Sequence, residues 1–417
     1  MKWKMTSTAI AITGAVGMAL AGCSSGGSTG GSSSSDAPVT LRFAAVTLTE
    51  AGRGPALKAW LEEFNKSQNK ITVVPDGIPF ATFAQTVLTQ MGAGSGPDLI
   101  RFDISTFEQA AASNLLAPLD TMIDASKYDL IKGPDSYNFV NGKRYGFSFD
   151  TTSYALIYNK DLISTPPTTF DELLATAKAA TKNGVYGLAF RQTAAEEPGM
   201  MQDLFNYVYG YGGDFGDGHK LTLNSPKVVA GLEAYQKLYD ANVIPKGASA
   251  ATYRQMFGQN KIGMEIDNGG VPSILLGENA NLHLGAAPDP FPVKSQGGIL
   301  TPLAINAASP HKAAAATFIK WMLEPANQVK LQQIMGAESV ATHTTRSAAE
   351  LAKAPYLKVF DDLVATTKPQ LINGFAAKTP DIDKIIVDQV LSALQGQQTM
   401  QAAMDKAQQL ATAVVSG

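Results

Sequence analysis

The stretch that decides the fold is Asn141-Gly142-Lys143-Arg144-Tyr145-Gly146-Phe147-Ser148-Phe149-Asp150-Thr151-Thr152-Ser153-Tyr154-Ala155-Leu156-Ile157-Tyr158-Asn159-Lys160. It opens with Asn-Gly, which predicts a tight turn because both residues tolerate a positive φ. The next residues alternate between aromatic and small or polar side chains, which is the period of an extended chain. Four polar residues, 150–153, interrupt the pattern, and the apolar run 154–158 resumes it as a buried strand would. The pattern alone leaves two interpretations open: a strand that crosses a cleft between two lobes, or a hairpin strand with a solvated kink.

Upstream of this stretch, short apolar runs alternate with amphipathic segments. Strands are predicted at residues 40–46, 71–74 and 98–102, with helices between them. The first helix starts at Pro55, and its apolar residues have the spacing of one helix face. Repeated β-α-β units predict a mainly parallel sheet with helices on both faces, which is an α/β fold. Ligands bind beyond the carboxyl ends of the strands of such sheets, which here are residues 47–50, 79–80 and 103–106.

Downstream of the stretch the alternation continues. A helix is predicted at residues 169–180, where Thr169 and Glu172 have the spacing of a capping box. Residues 207–218, rich in glycine and aromatic residues, are predicted to form a surface loop. The other predicted elements are strands at 186–190 and 261–266, and helices at 228–239, from Ser309-Pro310, from Thr379 and from Thr399.

Three further blocks give the chain a family resemblance. They are residues 96–103 (Gly-Pro-Asp-Leu-Ile-Arg-Phe-Asp), residues 304–310 (Ala-Ile-Asn-Ala-Ala-Ser-Pro) and a C-terminal run from 351 to 413. With the quoted stretch, they make residues 40–415 resemble the family 1 extracellular solute-binding proteins of ABC importers, the group that contains the maltodextrin-binding proteins. The resemblance implies that the quoted stretch is a strand that crosses between lobes.

The resemblance also implies a domain organisation. The family has a periplasmic binding protein-like fold of class II, with two discontinuous α/β lobes, three hinge crossings between them and a ligand cleft. For this chain the implied N-terminal lobe comprises residues 39–150 and 303–354. The implied C-terminal lobe comprises residues 151–302 and 355–417.

The N-terminal residues predict export and a lipid anchor. Residues 1–22 have the form of a signal peptide, with a lysine-containing head and an apolar run too short to be a stable spanning helix. The run ends in Leu20-Ala21-Gly22-Cys23, which resembles a bacterial lipobox and implies lipidation of Cys23, the only cysteine of the chain. Residues 23–38 are rich in Gly and Ser and are predicted to be a flexible tether. We expect attachment to the cell membrane, on its extracellular or periplasmic side. An ordinary signal peptide with a chance cysteine is the alternative.

The composition and the motifs exclude several functions. The net charge is −3 at pH 7 and no basic run occurs, so we expect no nucleic-acid partner. The four histidines are far apart and lack the spacing of metal ligands. The sequence has no phosphate loop and no dinucleotide fingerprint. We therefore expect no cofactor, no metal and no enzymatic activity.

Candidate ligand contacts are polar or aromatic side chains at strand ends. Carboxylate, amide and guanidinium groups suit sugars, because each can share two hydrogen bonds with neighbouring hydroxyls, and aromatic rings suit the C–H faces. The resemblance puts Thr152 where the maltodextrin binders carry a ligand glutamate, and Asp103 where several family members have a sugar-binding aspartate. The full predicted set is Glu50, Phe80, Asp103, Asp150, Thr152, Arg191, Tyr253, Asp267 and Asn268.

The tryptophan content predicts the size of the ligand. Maltodextrin binders stack glucose rings on tryptophans along the cleft. Beyond the signal peptide this chain has only Trp60 and Trp321, both on predicted buried helix faces. We therefore expect a mono-, di- or short oligosaccharide that is held mainly by hydrogen bonds and passed to the permease subunits of an ABC transporter by a monomeric protein.

Other functions stay open. The same fold can bind a non-sugar solute such as glycerol phosphate, a polyamine or an amino-sugar acid. A phosphate ligand would require several basic residues in the cleft, where the sequence points only to Arg53 and Arg191. A glycoside hydrolase that uses Asp98 and Asp103 is a second alternative, although these residues bracket one strand and would point to different faces. A sensor or adhesion lipoprotein without transport is a third.

Overall fold

A computed structural model describes residues 38–416, and its elements are numbered in chain order. The strands are β1 Val39–Ala45, β2 Ile71–Gly77, β3 Leu99–Arg101, β4 Phe139–Val140, β5 Lys143–Arg144, β6 Gly146–Asn159, β7 Tyr186–Ala189, β8 Ile262–Asn268, β9 Leu284–Ala287, β10 Gln296–Ile305 and β11 Thr367–Pro369. The helices are α1 Gly54–Ser67, α2 Phe80–Gly92, α3 Ile104–Ala112, α4 Lys132–Asp135, α5 Phe170–Ala180, α6 Glu197–Gly210, α7 Pro226–Asp240, α8 Ala250–Gly258, α9 Val271–Glu278, α10 Lys312–Met322, α11 Pro325–Met335, α12 Ala348–Lys353, α13 Leu357–Leu363, α14 Thr379–Leu394 and α15 Met400–Ser416. The predicted signal peptide, Cys23 and the predicted tether up to residue 37 lie outside the described residues.

The quoted stretch forms a strand that both lobes share. The strand order is β2-β1-β3-β10-β6-β8-β7, with β9 beside β6 and β11 beside β10. The half of β6 that precedes Tyr154 pairs with β10, and the half from Tyr154 onward pairs with β8 and β9. The polar residues 150–153 therefore lie where the strand passes from one lobe to the other. The cleft-crossing interpretation is confirmed, as is the α/β fold of two lobes.

Both faces of the sheet are covered in each lobe. Successive side chains of a strand point to opposite faces. In β1, Phe43 joins one apolar cluster and Ala44 another, and both clusters belong to the first lobe, which is built on β1, β2 and β3. In β6, Tyr154 and Ala155 join two different clusters of the second lobe, which is built on β7, β8 and β9. Trp60 is 1% exposed, as its helix face predicts.

Two more segments cross between the lobes. Strand β10 pairs with β3 of the first lobe at its end, whereas near its start Ile299 packs against a second-lobe cluster and the Gly297 amide donates to Oδ1 of Asn206 in α6. Residues 336–346 form the other crossing: Val340 lies in a first-lobe cluster, whereas Leu357 of α13 lies in a second-lobe cluster. Thr151 of β6 and Ser339 exchange two backbone hydrogen bonds of 2.8 Å, which ties this crossing to β6.

Two local predictions in the second lobe, a helix cap and a surface loop, are each confirmed only in part. The Thr169 side chain caps α5 by accepting a hydrogen bond from the Glu172 amide, as predicted. The carboxylate of Glu172 accepts from Thr168 instead of from Thr169, so the reciprocal bond of the box is shifted by one residue. The surface loop predicted at 207–218 is wrong in its first part, because residues 207–210 are the last turn of α6. Tyr207 and Tyr209 are buried there, so packing of their rings outweighs the turn signal of the glycines.

Residues 38–416 include no helix with both the length and the apolar character needed to cross a bilayer.

The hinge strand β10 contains a glycine that has no room for a side chain. A Cβ on Gly298 would lie 1.9 Å from Cγ2 of Thr367 and 2.7 Å from the carbonyl oxygen of Thr152. We expect Gly298→Ala to lower the free energy of unfolding by about 1–3 kcal/mol, the usual cost of overpacking. Urea denaturation followed by circular dichroism measures this change. Gly133→Ala is the control, because a Cβ there meets no atom within 4 Å. Equal effects of the two substitutions would contradict the prediction.

Candidate functional site

A cavity of about 540 Å³ lies between the two lobes. Ligand pockets are usually roughly 300–1,000 Å³, so its size suits a small solute. Residues of all three strand-end segments predicted from the sequence, 47–50, 79–80 and 103–106, line it. The second lobe contributes residues near the start of α6, in α8 and near the start of α14. The position of the cavity is therefore the one that the carboxyl-end rule predicts.

The first-lobe wall is built around Arg53, which precedes α1. Its Nε donates to Oε2 of Glu50 at 2.6 Å and its Nη2 to Oε1 of Glu50 at 3.0 Å. Its Nη1 donates to Oε1 of Glu338 at 2.6 Å, and Glu338 belongs to the crossing segment 336–346. One guanidinium thus joins the loop after β1 to the hinge.

A second arginine of the same wall holds the crossing strand. Arg101, the last residue of β3, donates from Nε and Nη2 to the two carboxylate oxygens of Asp150, both at 2.6 Å. Asp150 is fully buried, and its backbone carbonyl accepts a hydrogen bond from Thr301 of β10. Bidentate pairs of this kind fix the orientation of both side chains.

The second-lobe wall repeats the arrangement. Arg191 donates to Oδ1 of Asp203 at 2.6 Å and to Oδ2 of Asp267 at 2.9 Å. Arg254 of α8 donates to the same oxygen of Asp267 at 2.6 Å and to Glu265 at 3.3 Å. Each wall therefore holds, among the described residues, two arginines that are paired with buried or partly buried carboxylates.

Burial raises the pKa of some of these carboxyl groups, whereas pairing with arginines lowers the pKa of another. Burial, helped by nearby carboxylates and opposed by the arginines, raises the pKa of Glu338 and that of Glu265 to about 8. Burial also acts on Asp267, but Arg191 and Arg254 outweigh it and lower its pKa to about 2. Near neutral pH, Glu338 and Glu265 are thus largely protonated, whereas Asp267 is ionised.

The predicted contact residues fall into two groups. Those that line the cavity are Glu50, Phe80, Asp103, Arg191 and Asn268. Phe80 is 43% exposed, so its ring is free to contact a ligand. Asp103 also caps α3, because its Oδ1 accepts the Thr106 amide at 3.0 Å. As ligand contacts, these residues stay predictions.

The other predicted residues lie behind the lining, where each is buried: Asp150, Thr152, Tyr253 and Asp267. Asp150 and Asp267 hold the wall arginines. Oγ1 of Thr152 accepts a hydrogen bond from the Gly269 amide at 2.7 Å, which links the crossing strand to the loop after β8. The hydroxyl of Tyr253 is buried without a hydrogen-bond partner among residues 38–416.

Sequence reasoning missed several residues that line the cavity. Arg101 is the next-to-last residue of the strand predicted at 98–102, so the carboxyl-end rule came within two residues of it. Arg254 and Asp383 lie on helices and Glu338 lies in a crossing segment, where no local pattern marks them. In the part of the chain that the structure describes, no group of three or more His, Cys, Asp or Glu side chains is arranged to hold a metal ion.

Two α/β lobes that enclose a cavity beside shared crossing strands define the class of periplasmic binding protein-like folds, whose members bind solutes between their lobes. Residues 49–329 match the family described as bacterial extracellular solute-binding protein. The chain belongs to this family, which serves ABC importers.

Individual relatives are distant. The maltotriose-binding protein of Pyrococcus abyssi is 28% identical over 251 residues, which cover 55% of this chain and 51% of that relative. The matches span only 51% to 61% of the length of the first curated relatives, so the ligands of those relatives do not establish what this chain binds.

Two solved structures are similar in fold. The GacH receptor of Streptomyces glaucescens, studied unliganded and with acarbose, has a TM-score of 0.79 at 21% identity, covering 89% of this chain and 97% of that one. UgpB from Mycobacterium tuberculosis, in complex with glycerophosphocholine, has a TM-score of 0.79 at 18% identity, covering 90% of this chain and 98% of that one. At these identities the likeness establishes the fold alone.

The buried carboxyl group of Glu338 predicts a pH dependence of stability. Its pKa is raised to about 8 in the folded chain, so between its ordinary pKa and about 8 the folded state binds more protons than the unfolded state. Stability therefore falls as the pH rises through this window. We expect Glu338→Gln to reduce the decrease in melting temperature between about pH 5.5 and about pH 8.5, because an amide has no proton to lose.

Differential scanning calorimetry at the two pH values measures this decrease. The matched control is Glu233→Gln on α7, where the side chain is exposed. We expect the control to have the same pH dependence as the unmodified protein. A Glu338→Gln variant that also keeps the full dependence would show the prediction to be wrong.

Proposed function

We propose that the protein captures a mono-, di- or short oligosaccharide by closing its two lobes around it, and delivers it to the permease of an ABC transporter. The observation that carries the proposal is the cavity between the lobes, whose walls offer carboxylate, amide and guanidinium groups from both sides. Such groups suit the neighbouring hydroxyls of a sugar. The maltotriose-binding relative and the fold shared with the GacH receptor support it.

The charge of the cavity favours a sugar over a phosphate ester. The shared fold with UgpB keeps glycerol phosphate compounds as a second candidate. Of the described residues, four arginines line the cavity, and each already donates to carboxylates: Arg53, Arg101, Arg191 and Arg254. A phosphate would have to compete with these carboxylates for the same donors. A neutral solute needs no such exchange.

The aromatic lining favours a short sugar. No tryptophan among residues 38–416 lines the cavity: Trp60 lies in the first-lobe core, and Trp321, which is only partly buried, packs on it with ring centroids 4.8 Å apart. Phe80 is the most exposed ring of the lining. One phenylalanine is sufficient to stack on one sugar ring, whereas a long maltodextrin would need several such rings.

The family and its structural relatives are binding proteins. The positions of Asp98 and Asp103, the carboxylates of the hydrolase alternative, agree with a binding function. The carboxylate of Asp98 accepts hydrogen bonds from the Arg42 amide at 2.9 Å and from Ser309 at 2.6 Å, away from the cavity lining. Asp98 and Asp103 therefore do not form a catalytic pair across a bound sugar.

The remaining parts of the proposal follow from the sequence. Cys23 carries the lipid anchor, residues 23–38 tether the lobes to the membrane, and the monomeric protein works on the extracellular or periplasmic side. The lobe boundaries, 39–150 with 303–354 and 151–302 with 355–417, belong to the same proposal. The three crossings act as the hinge, and ligand stabilises the closed form because both lobes contact it only there.

Ligand-induced closure has a measurable signature. We expect a binding sugar, found by thermal shift over a carbohydrate panel, to raise the stability by about 2.7 kcal/mol at a hundredfold excess over its dissociation constant. We also expect it to decrease the radius of gyration in small-angle X-ray scattering. Gly52→Leu should weaken both effects, because a Cβ at Gly52 of the first lobe would already lie 2.7 Å from the carbonyl oxygen of Ser273 in α9.

The control for this variant is Gly133→Leu, where a Cβ meets no atom within 4 Å and lies outside the cavity lining. We expect the control to bind and to compact like the unmodified protein. The proposal fails if no carbohydrate of the panel binds, or if binding leaves the scattering profile unchanged.

Lipidation of Cys23 is tested by fractionation. In a bacterial host that processes lipoproteins, we expect the unmodified chain in the membrane fraction, with mass spectrometry finding a diacylglyceryl group on an N-terminal Cys23. We expect Cys23→Ser to abolish the modification, because its hydroxyl does not replace the thiol, and Ser28→Ala in the tether to leave it intact. An unmodified Cys23 would support the ordinary signal peptide instead.

A further inference from the structure

Two arginines that line the cavity, one from each lobe, are held in the same way. Arg101 at the end of β3 donates from Nε and Nη2 to the two carboxylate oxygens of Asp150. Arg254 of α8 also uses Nε and Nη2, which donate to Glu265 and Asp267. In both side chains the carboxyl groups therefore occupy the same edge of the planar guanidinium group, which fixes the direction of its remaining N–H donors.

The third nitrogen of each group is left without a protein partner. Nη1 of Arg101 and Nη1 of Arg254 donate to no atom of residues 38–416, and neither belongs to the polar atoms that are closed to solvent. The two side chains are only 9% and 14% exposed, and both line the cavity. Donors this far buried are normally satisfied by an acceptor. The acceptor for these two nitrogens therefore has to come from the cavity.

The other two arginines of the lining use their donors differently. Arg53 donates to carboxylates from all three of its side-chain nitrogens. Arg191 donates to carboxylates from both of its Nη atoms, and its Nε lies against Gly199 of α6, where a Cβ would overlap it. Among the described residues of the lining, Arg101 and Arg254 are therefore the arginines that keep a whole Nη group for a solute.

Resting on the proposed function, we infer that Arg101 and Arg254 determine which sugars are captured: Nη1 of each donates to a hydroxyl oxygen of the bound sugar, so that one guanidinium group from each lobe holds it. A hydroxyl suits this position, because it accepts from the guanidinium group and can still donate its own hydrogen to an acceptor of the lining such as Asp103. Each arginine is already paired with a carboxylate, so the acceptor needs no charge of its own.

The two arginines are fastened on either side of the point where β6 crosses between the lobes. Asp150, the partner of Arg101, is the first of the polar residues 150–153 of that strand. Asp267, the partner of Arg254, lies opposite Ala155, shortly after those residues end. A solute that accepts from both Nη1 atoms thus contacts both lobes next to the hinge, and such a contact stabilises the closed form.

The same donors discriminate against the other candidate solutes. A polyamine offers N–H donors and positive charge, so it cannot satisfy two guanidinium nitrogens that need acceptors. A phosphate ester offers acceptors, but its charge would require cations that the wall carboxylates do not already offset. A neutral solute with several hydroxyl groups meets both requirements, which makes it the class of ligand that this pair of donors fits.

The first test removes single hydroxyl groups from the sugar and leaves the protein unchanged. Titration calorimetry is run with glucose, galactose, mannose, maltose and cellobiose, with spermidine and glycerol 3-phosphate beside them, and then with the monodeoxy forms of each sugar that binds. We expect at least two different hydroxyls to be needed, each removal weakening binding about tenfold, because a hydrogen bond to a charged donor is lost.

Two variants then assign these hydroxyls. In Arg101→Lys and in Arg254→Lys, the lysine keeps a positive charge beside the carboxylate but has no second nitrogen for the solute. We expect each variant to bind the complete sugar about tenfold more weakly. We also expect each variant to lose no further affinity when the hydroxyl that its arginine contacted is removed. A purely structural role of the arginine would instead weaken the binding of every form of the sugar by the same factor.

The matched control is Arg144→Lys. Arg144 is also buried in the first lobe and also forms a bidentate pair, with both Nη atoms donating to Asp135 at 2.7 Å, but it lies outside the cavity lining. We expect this variant to bind every form of the sugar like the unmodified protein. The melting temperature without sugar shows whether each of the three variants is folded.

The outcomes distinguish this inference from the proposed function. If sugars bind but no two hydroxyls matter, or if Arg101→Lys and Arg254→Lys weaken all deoxy forms equally, the inference is wrong and the capture of sugars stands. The inference is also wrong if Arg144→Lys has the same effect as the other two substitutions. If one lysine variant does not fold, the hydroxyl scan and the other variant decide. If no sugar binds, or only spermidine or glycerol 3-phosphate does, both the inference and the proposed function are wrong.

Discussion

The structure depends on how a charged side chain is held in the centre of the molecule, where β6 passes from one lobe to the other. Asp150 is fully buried at that point, and an isolated buried carboxylate is strongly unfavourable. Arg101 compensates this buried negative charge by donating two hydrogen bonds of 2.6 Å to the carboxylate. Removing one partner of such a pair usually costs about 3–5 kcal/mol, because the other charge stays buried alone. The pair therefore fixes the crossing strand against the end of β3.

The same constraint decides what the cavity offers to a solute. Arg191 and Arg254 converge on Asp267 in the second lobe, as Arg53 and Arg101 are held by Glu50 and Asp150 in the first. Because these guanidinium groups are paired with carboxylates of the cavity walls, the cavity should attract anions less strongly than its arginine content suggests.

Much of the fold could be predicted from the sequence, because the signals involved are local. The alternation of the quoted stretch predicted a long strand, and β6 runs from Gly146 to Asn159. The helical spacing around Trp60 predicted the buried face of α1. The prediction was wrong at residues 207–210, where the aromatic rings of α6 are buried by other parts of the chain. The candidate site was predictable only in outline: strand-end rules pointed to Glu50, Phe80 and Asp103, all of which line the cavity.

The sequence by itself determined the class of the chain, since periodicity and the family blocks require only residues that are near each other along the chain. It also determined which strand carries polar residues through the centre. Tertiary structure alone decided which side chains meet: Arg53 donates a hydrogen bond to Glu338, 285 residues away, and Arg191 forms an ion pair with Asp267, 76 residues away. It also decided that Asp150 and Asp267 lie behind the wall, whereas Asp383 lines it. The physical reason is that burial and charge pairing depend on distances in space, which a local pattern does not contain.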